Sequence, residues 1–388
     1  MTVTVVLPCL DEAESIAASV HEAFDGLRVA GLDGEVVVVD NGSTDGSPEL
    51  AAAAGAMVVA ERAPGYGSAL LRGIEAAQGE LIVMADADCS YELSRLGALV
   101  EPVCAGRADL VLGKRVVDRG AMPWLHRTIG TPAINFLLRR ATGGSAVTDS
   151  QSGFRCFRRD VIRGLELQST GMEFASEMLV LAHARGLTIS EVPTRYRVRV
   201  GDSKLRTFSD GWRHLQVLLT LAPHLLVLYP GLVMLILGAG LTVFNLFSPE
   251  GVAVGSVRWQ PVFLTSILNI LGIQATLAGV VLARRSAVLI FHDAPRFAYV
   301  DAPTFPRNCI VGGLIGIGTG LVIDAVLLVR WLHNESPVTA TTLAALAQSL
   351  IIGGFTIGSY ALVATVLLRR RRPAPTGGVS STQPVPQP

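Results

Sequence analysis

The chain has 388 residues, half of them hydrophobic, and its 32 basic residues balance its 32 acidic ones. This length predicts two or more domains, and the balanced charge gives no sign of nucleic-acid binding. The charge is unevenly spread, since residues 224–388 hold 5 acidic and 10 basic residues and the preceding part holds the other 27 and 22. The composition therefore predicts a water-soluble first part and a membrane-embedded second part.

The first part alternates short apolar runs with alanine-rich segments, which is the pattern of an α/β fold with a mostly parallel sheet and helices on its faces. The predicted strands are 3–7, 36–39, 57–60, 81–85 and 110–113, and the predicted helices are 13–24, 47–54, 67–77 and 94–105. Ligands of such sheets bind beyond the carboxyl ends of the strands. Polar segments follow the first four strands, namely PCLDE, DNGSTDGS, ERAPGYGS and DADCSYE. We therefore expect the functional site at that edge.

Two aspartates, Asp86 and Asp88, end the fourth apolar run one residue apart. In an extended segment they point to the same side, which brings two like charges within a few ångströms of each other. Magnesium takes carboxylate oxygens and leaves its remaining positions to water and substrate phosphates. The spacing therefore favours a metal that holds a diphosphate. The alternative is a local role, in which Asp88 opens a turn or caps the next helix.

Four long apolar segments lie in the second part, at 225–247, 262–283, 309–329 and 343–368. Each is long enough to cross a bilayer core of about 30 Å, and the only charge among them is Asp324. With alternating spans, eight flanking arginines lie on one side of the membrane and two on the other. Arginine is enriched on the cytoplasmic side, so this asymmetry predicts a multi-pass cell-membrane protein with both termini and the segment 284–308 in the cytoplasm.

An amphipathic segment joins the two parts. It places Phe208, Trp212, Leu215 and Leu219 on one side, which predicts an interfacial helix on the lipid bilayer, with an ordinary surface helix as the alternative. A tail rich in Pro, Ser and Gly follows Arg372 and is expected to be disordered. The predicted domains are a catalytic domain over 1–205, the interfacial helix over 206–223, a four-span membrane domain over 224–372 and the tail 373–388.

The cysteines and the first residues add two expectations. The five cysteines show no Cys-x-x-Cys spacing and are odd in number, which favours free thiols over zinc or disulfides. The opening stretch MTVTVVLPCLDEAES has no basic region before an apolar run, so no signal peptide is expected.

Five motifs occur in order along the first part: LPCLDEAESI, VVVVDNGSTDGS, GYGSALLRGIEAAQGELIVMADAD, DSQSGFRCFRRD and RVGDSKL. Together they resemble the polyprenyl-phosphate glycosyltransferases, the dolichyl-phosphate mannose or glucose synthase-like branch of the family 2 glycosyltransferases. The resemblance covers about residues 1–205 and implies a GT-A-like, Rossmann-like domain. The chain departs from the family pattern at Asp11, where Asn is usual, at Asn41, where a second acid is usual, and at Ser90, where some members have a metal-binding Gln.

The resemblance implies roles for individual residues. Asp40 would accept a hydrogen bond from the nucleotide base and Glu12 would bind the base or the ribose, although a turn-forming role for Asp40 is equally open. Asp86 and Asp88 would hold Mg²⁺ or Mn²⁺. Gly65 and Gly67 would let the backbone pass close to a ligand. The other residues expected around the donor are Pro8, Leu10, Ala87 and Ser203.

The resemblance also implies a phosphate-binding set, because arginine grips phosphate oxygens bidentately. Its members are Arg115, Arg127, Arg199 and Lys204. For each of these the alternative is a solvated or lipid-facing charge. Asp149 is expected to orient the acceptor or to act as a base.

The implied activity is inverting transfer of a hexose from a UDP- or GDP-sugar to polyprenyl phosphate at the cytoplasmic face of the membrane. A processive polysaccharide synthase is a second possibility, but the chain lacks the Gln-x-x-Arg-Trp motif of that class. A membrane scaffold with an inactive transferase domain is a third, and the intact pair Asp86 and Asp88, together with Asp40, argues against it. The sugar, the nucleotide base and the oligomeric state stay open, and a homo-oligomer is one of the open states.

Overall fold

The computed structural model describes residues 1–122, 126–141, 147–201, 212–213, 215–216, 219–220, 222–248, 250–254, 257–259, 261–291, 297–335 and 339–367. The described residues fall into two compact units. The first lies within Met1–Pro230 and Leu282–Arg296, and the second within Gly231–Val281 and Phe297–Pro388.

The first unit is built on a seven-stranded sheet. Its strands are β1 (Thr2–Cys9), β2 (Asp33–Asp40), β3 (Met57–Ala60), β4 (Leu81–Met84), β5 (Leu110–Val117), β6 (Arg155–Arg158) and β7 (Ile189–Tyr196). They are ordered β3-β2-β1-β4-β6-β5-β7, and β6 alone runs antiparallel to its neighbours β4 and β5. The predicted mostly parallel sheet is therefore confirmed.

Both faces of the sheet are covered, which explains why its strands read as continuous apolar runs. On one face Val3, Val5 and Leu7 of β1 pack in one buried cluster with residues from the helices on that side. On the other face Val6 packs with Val37 and further buried residues in a second cluster. Successive strand residues thus serve opposite faces, as the period of two requires.

Seven helices surround the sheet in the described part of the first unit. They are α1 (Ile16–Val29), α2 (Ser47–Ala53), α3 (Tyr66–Ala76), α4 (Gly97–Cys104), α5 (Thr131–Ala141), α6 (Arg159–Arg163) and α7 (Phe174–Ala184). A short 3-10 helix, Leu93–Arg95, precedes α4, so the helix predicted over 94–105 is interrupted. The helix predicted from residue 13 begins only at Ile16, and the backbone N–H of Ala13 before it donates to the Asp45 side chain.

Four helices follow: α8 (Tyr229–Phe247), α9 (Val262–Phe291), α10 (Thr304–Leu332) and α11 (Ala340–Leu367). The segments long and apolar enough to cross a membrane are His224–Phe247, Val262–Ser286, Thr304–Leu332 and Ala340–Val366. All four predicted spans are therefore present as helices of membrane-spanning length. The strands β8 (Val252–Val254) and β9 (Val257–Trp259) form a hairpin between α8 and α9.

Small and polar residues join the helices of the second unit in pairs. Gly313 of α10 lies so close to α11 that an added Cβ would come within 2.4 Å of the Gly354 carbonyl oxygen. Asn245 of α8 donates to Thr265 Oγ1 of α9 over 2.9 Å. Close approach at glycine and hydrogen bonds between helices are the usual means of packing in an apolar solvent, where the hydrophobic effect does not drive association.

Some predicted segments fall mainly or wholly outside the described residues. Of the predicted interfacial helix over 206–223, the structure describes Trp212, which is helical and exposed, and a few residues after it. The tail 373–388 also lies outside. The interfacial helix, the tail and the predicted domain limits stay predictions.

Candidate active site

The loop after β1 is fixed by the loop after β2. The backbone N–H groups of residues 11–13 donate in turn to Ser43 Oγ, Ser47 Oγ and Asp45 Oδ2, over 2.9, 2.8 and 2.9 Å. Asp11 has a positive φ of 51° and accepts from the backbone N–H of Thr44 over 2.8 Å. These bonds join the loops that follow β1 and β2 into one rim at the carboxyl ends of the strands, and Glu12 lies on this rim.

Asp40, at the end of β2, forms a turn. Its carboxylate accepts hydrogen bonds from the backbone N–H groups of Ser43 over 3.0 Å and Gly42 over 3.3 Å. This is the turn-forming role that the sequence left open. Recognition of a nucleotide base by Asp40 stays a prediction.

Asn41 is bonded through all of its side-chain amide. Its Nδ2 donates to the carbonyl oxygens of Glu61 over 3.0 Å and Ala63 over 2.8 Å, and its Oδ1 accepts from the backbone N–H of Gly65 over 2.7 Å. Two acceptors on one side and one donor on the other fix which way the amide points. Asn41 therefore holds the loop between β3 and α3 against the end of β2.

Two glycines of that loop, Gly65 and Gly67, lie against the backbone of another loop. Gly65 has a φ of 136°, and a Cβ there would lie 2.1 Å from the Thr170 carbonyl oxygen. A Cβ on Gly67 would lie 2.2 Å from the Ser169 carbonyl oxygen. These glycines therefore let the start of α3 lie close to the backbone of residues 169–170, and their close approach to a ligand stays a prediction.

Asp86 is half-buried and accepts a hydrogen bond from the Tyr66 hydroxyl at the start of α3, over 2.8 Å. Burial, and then the neighbouring charge of Asp88, raise the pKa of the Asp86 carboxyl well above its ordinary value. Burial and the charge of Asp86 likewise raise the pKa of Tyr66, so its hydroxyl stays protonated and donates. The two aspartates therefore repel each other, and a cation between them would relieve that repulsion.

Asp88 is buried, and its two carboxylate oxygens have different partners. Oδ1 accepts from the backbone N–H of Ser90 over 3.0 Å, which is the local turn that the sequence left as an alternative. Oδ2 lies 3.5 Å from Arg199 Nη1. Arg199 Nη2 donates to Glu12 Oε1 over 3.1 Å, so one guanidinium joins the β1 loop to the β4 loop.

The segment after β7 is hydrogen-bonded to the loop that carries Asp88. The backbone N–H of Arg197 donates to the Ser90 carbonyl oxygen over 2.7 Å, and that of Val200 donates to the Asp88 carbonyl oxygen over 3.0 Å. Arg199 Nε is buried and has no hydrogen-bond acceptor among the described residues. An arginine donor without an acceptor beside two carboxylates is suited to an anion such as a phosphate.

Arg115 and Asp149 form a nearly buried ion pair. Arg115 donates to Asp149 through Nε over 2.8 Å, through Nη2 over 2.7 Å and through its backbone N–H over 2.9 Å. The guanidinium also lies over the Tyr196 ring, 5.4 Å from its centre. The Asp149 backbone N–H donates to Glu191 over 2.8 Å, so the acid is itself held in place. Asp149 therefore sets the orientation of Arg115.

Arg155 lies on β6 beneath this loop and is fully buried. It donates to the carbonyl oxygens of Ser150, Ser152 and Ala175 over 2.8, 2.9 and 2.9 Å, and none of these acceptors is a carboxylate. Burial lowers the pKa of Arg155 to about 10, so the side chain still carries its charge at neutral pH. A buried positive charge thus supports the loop that carries Asp149.

Sequence comparison decides the family. A model of glycosyl transferase family 2 matches residues 4–165. The low-salt glycan biosynthesis hexosyltransferase Agl6 of Haloferax volcanii is 33% identical over 372 residues, which cover 92% of this chain and 89% of that protein. The chain belongs to glycosyl transferase family 2.

Two further matches are more limited in extent. A dolichyl-phosphate hexose transferase of Haloferax volcanii is 34% identical over 203 residues, covering 51% of this chain and 82% of that protein. Glucosyl-3-phosphoglycerate synthase of Mycobacterium tuberculosis, solved with Mg²⁺ and uridine diphosphate, is 26% identical, covers 56% of this chain and 78% of that one, and has a TM-score of 0.46.

The residues present in this glycosyltransferase fit a divalent cation. Asp86 and Asp88 provide oxygen ligands whose mutual repulsion a cation would relieve. Within the described part of the chain, no cluster of three His, Cys, Asp or Glu residues completes a closed metal site. Two carboxylates with the remaining positions left to water and phosphate are typical of Mg²⁺ bound with a nucleotide.

The predicted site residues of this glycosyltransferase differ in their surroundings. Ion pairs unite Glu12, Asp88 and Arg199, and another pairs Arg115 with Asp149. Three more lie in the same loops or at their start: Pro8 is half-buried, Leu10 is exposed and Ala87 is buried, with its carbonyl oxygen bonded to Ser19. Arg127 lies exposed in a π-helical turn, His126–Gly130, before α5. Ser203 and Lys204 lie outside the described residues.

Three contributors were not predicted as site residues: Tyr66, Arg155 and Glu191. Tyr66 and Arg155 lie within two of the family motifs, GYGS and GFRCF, so their positions were visible in the sequence. Glu191 lies on β7 outside every motif, and no sequence signal pointed to it. The contacts of Tyr66 with Asp86 and of Glu191 with Asp149 could not be inferred locally, because they join residues 20 and 42 positions apart. Arg155 bonds Ser152 and Ser150, three and five positions away, but its bond to Ala175 spans 20 positions.

Proposed function

We propose that this glycosyltransferase moves a hexose, with inversion, from a nucleotide diphosphate sugar to polyprenyl phosphate at the cytoplasmic face of the membrane. The observation that carries the proposal is the juxtaposition of the carboxylates Asp86 and Asp88 with Arg199 at the carboxyl ends of the parallel strands. This arrangement suits a metal–diphosphate complex, because the carboxylates would bind the cation and the guanidinium would bind the diphosphate.

The donor would lie along the rim formed by the loops after β1, β2 and β4. In this proposal Glu12 and Asp40 bind the base or the ribose, and Arg199, whose buried Nε has no acceptor among the described residues, binds a phosphate oxygen. A bound Mg²⁺ or Mn²⁺, held by Asp86 and Asp88, would supply stabilisation of the negative charge on the departing diphosphate. The choice between UDP and GDP rests on contacts to the base.

The acceptor class is suggested by the relative named as a dolichyl-phosphate hexose transferase. A phosphate oxygen of the lipid would attack the anomeric carbon from the side opposite the diphosphate. A carbon–oxygen bond to the acceptor forms, and the carbon–oxygen bond to the donor breaks with its electron pair going to the nucleoside diphosphate. A phosphate monoester has its second pKa near 6, so the acceptor is already an anion at neutral pH and needs no strong base. Arg115, oriented by Asp149, is the described cation proposed to bind it, and Arg127 and Lys204 stay predicted members of the same set.

The proposal is tested with purified full-length protein in lipid nanodiscs. Polyprenyl phosphate, Mg²⁺ or Mn²⁺ and a panel of radiolabelled UDP- and GDP-hexoses are added, and the lipid is extracted into organic solvent. We expect label in the lipid with one nucleotide sugar, and none when polyprenol replaces polyprenyl phosphate. Label in an insoluble polymer would favour a processive synthase, and no transfer from any donor would contradict the proposal.

The orientation in the membrane gives a separate prediction. Eight of ten flanking arginines favour the cytoplasm for both termini and for the segment between the second and third spans. Ser286 is buried, so a reporter cysteine belongs at exposed positions, Ala298 in that segment and Glu335 between the third and fourth spans.

In intact cells a membrane-impermeant maleimide should therefore label a Glu335→Cys variant. An Ala298→Cys variant should be labelled only after the membrane is permeabilised. The wild-type protein, whose five cysteines include exposed Cys104, gives the background. Efficient labelling of Ala298→Cys in intact cells would overturn the proposed topology.

A further inference from the structure

Asp86 is held from two sides by groups outside its own loop. Tyr66 donates to its Oδ1 over 2.8 Å. Gly153, next to β6, faces both carboxylate oxygens so closely that a Cβ there would lie 2.9 and 3.0 Å from them and 3.0 Å from the Tyr66 hydroxyl. The carboxylate thus fits between a hydroxyl donor and a backbone surface with no side chain, which leaves it few orientations.

The position of Tyr66 depends in turn on Asn41. The Gly65 backbone N–H, immediately before Tyr66, donates to Asn41 Oδ1 over 2.7 Å. The Asn41 amide also holds the carbonyl oxygens of Glu61 and Ala63, so the whole approach to α3 is fixed from the end of β2. A chain of contacts therefore runs from the β2 turn through Asn41, Gly65 and Tyr66 to Asp86.

An aspartate at position 41 could not make the contacts that Asn41 makes. Its Nδ2 provides two N–H donors, whereas an aspartate would set a carboxylate against two carbonyl oxygens. The departure from the usual second acid at Asn41 and the tyrosine at the start of α3 thus belong to one arrangement. Residues that hydrogen-bond a metal ligand commonly change metal affinity 10- to 100-fold when removed.

We propose that Tyr66 is a positioning residue that orients the metal-binding carboxylate of Asp86, and that Asn41 holds Tyr66 in place to do so. The proposal rests on the proposed function for the identity of the cation, not for the sugar or the acceptor. This series of hydrogen bonds connects the turn at Asp40, proposed to bind the nucleotide base, with Asp86, proposed to bind the cation.

The experiment measures Mn²⁺ binding to the purified full chain by electron paramagnetic resonance, with no sugar or acceptor lipid, alone and with UDP or GDP. Tyr66→Phe removes only the hydroxyl and should weaken Mn²⁺ binding about tenfold. Tyr299→Phe is the matched control, because it makes the same chemical change at an exposed tyrosine between α9 and α10. Its Mn²⁺ affinity should stay within about twofold of the wild type.

Asn41→Asp tests the second step. It should weaken Mn²⁺ binding by a similar factor, and the double variant with Tyr66→Phe should bind no more weakly than the weaker single variant, since both act by one route. Asn41→Ala, which removes the two amide donors without adding a charge, takes its place if Asn41→Asp does not fold. Additive losses would remove Asn41 from the chain of contacts.

Two results would overturn the proposal for Tyr66. One is wild-type Mn²⁺ affinity in a folded Tyr66→Phe variant, and the other is an equal loss in Tyr299→Phe, which would indicate that the loss is not specific to the hydroxyl of Tyr66. Absence of Mn²⁺ binding by the wild type, with and without nucleotide, would remove the metal site as well. The expected Mn²⁺ pattern without glycosylation of polyprenyl phosphate would instead reject the acceptor and leave the role of Tyr66 standing.

Discussion

Asp88→Asn should lower kcat/KM for sugar transfer by roughly 100-fold or more, while the protein stays folded. The substitution keeps the shape of the side chain and an oxygen for the Ser90 N–H, so the turn survives. It removes the charge that would share a divalent cation with Asp86 and that faces Arg199. Loss of about 3 kcal/mol of charge stabilisation corresponds to a factor of this size. The measurement is initial rate against donor concentration, with excess Mg²⁺ or Mn²⁺.

Asp25→Asn is the matched control for that prediction. Asp25 pairs with Arg28 on the exposed surface of α1, so the same chemical change there removes an ion pair of little energetic value. Its kinetics should stay within about twofold of the wild type. Chelation of divalent cations should abolish transfer by the wild type, and addition of excess Mg²⁺ or Mn²⁺ should restore it. Near-normal turnover of a folded Asp88→Asn variant, or of the chelated enzyme, would refute the metal role.

The strands that the sequence predicted have an apolar run of their own. In β1, β2 and β4 the apolar residues of that run are buried, and in the edge strand β3 they are half-buried or exposed. Each run could be recognised without knowing which strands lie beside it. β6 is only Arg155–Arg158, with arginine at both ends, and β7 contains charged residues and Pro193, so neither has an apolar pattern of its own. These strands are defined by pairing with β4 and β5, which is tertiary information.

The membrane helices were predicted from length and apolar content, and their ends were the weaker part. The second predicted span ended at 283, before Arg284, but α9 continues to Phe291 because an apolar run follows the arginines. The segment predicted as a connection over 284–308 is therefore helical at its start, and α10 already begins at Thr304. A charged pair marks where a helix leaves the apolar zone, not where its backbone hydrogen bonding ends.

The candidate site was predictable as a set of residues but not as a set of contacts. The motifs pointed to Asp88, Arg199, Arg115 and Asp149 one by one, and the structure shows that they form pairs. For Asp149 this changes the chemistry to be expected. Its carboxylate accepts three hydrogen bonds from Arg115, which supports a role in orienting that guanidinium, and the role of a base stays a prediction.

The last prediction separates the orienting role of Asp149 from the role of a base. If Asp149 orients Arg115, Asp149→Asn should raise the KM for polyprenyl phosphate about tenfold, the equivalent of about 1.4 kcal/mol, and leave the pH dependence of kcat unchanged. If it is the base, kcat should fall instead and should rise steeply with pH. Breaking a nearly buried ion pair also costs stability, roughly 3 to 5 kcal/mol, so a second comparison is needed.

That comparison is the double variant Arg115→Met with Asp149→Leu. An apolar pair of similar volume commonly replaces a buried ion pair with little loss of stability, so the free energy of unfolding should recover relative to Arg115→Met alone. Use of polyprenyl phosphate should not recover, because a charge-assisted phosphate contact worth about 1.5 to 3 kcal/mol is absent from both. Arg107→Met, which removes an exposed partner of Glu101, should change neither quantity. A stable double variant with wild-type KM for polyprenyl phosphate would take Arg115 out of the acceptor site, whereas a rise in the nucleotide-sugar Kd alone would move it to the donor.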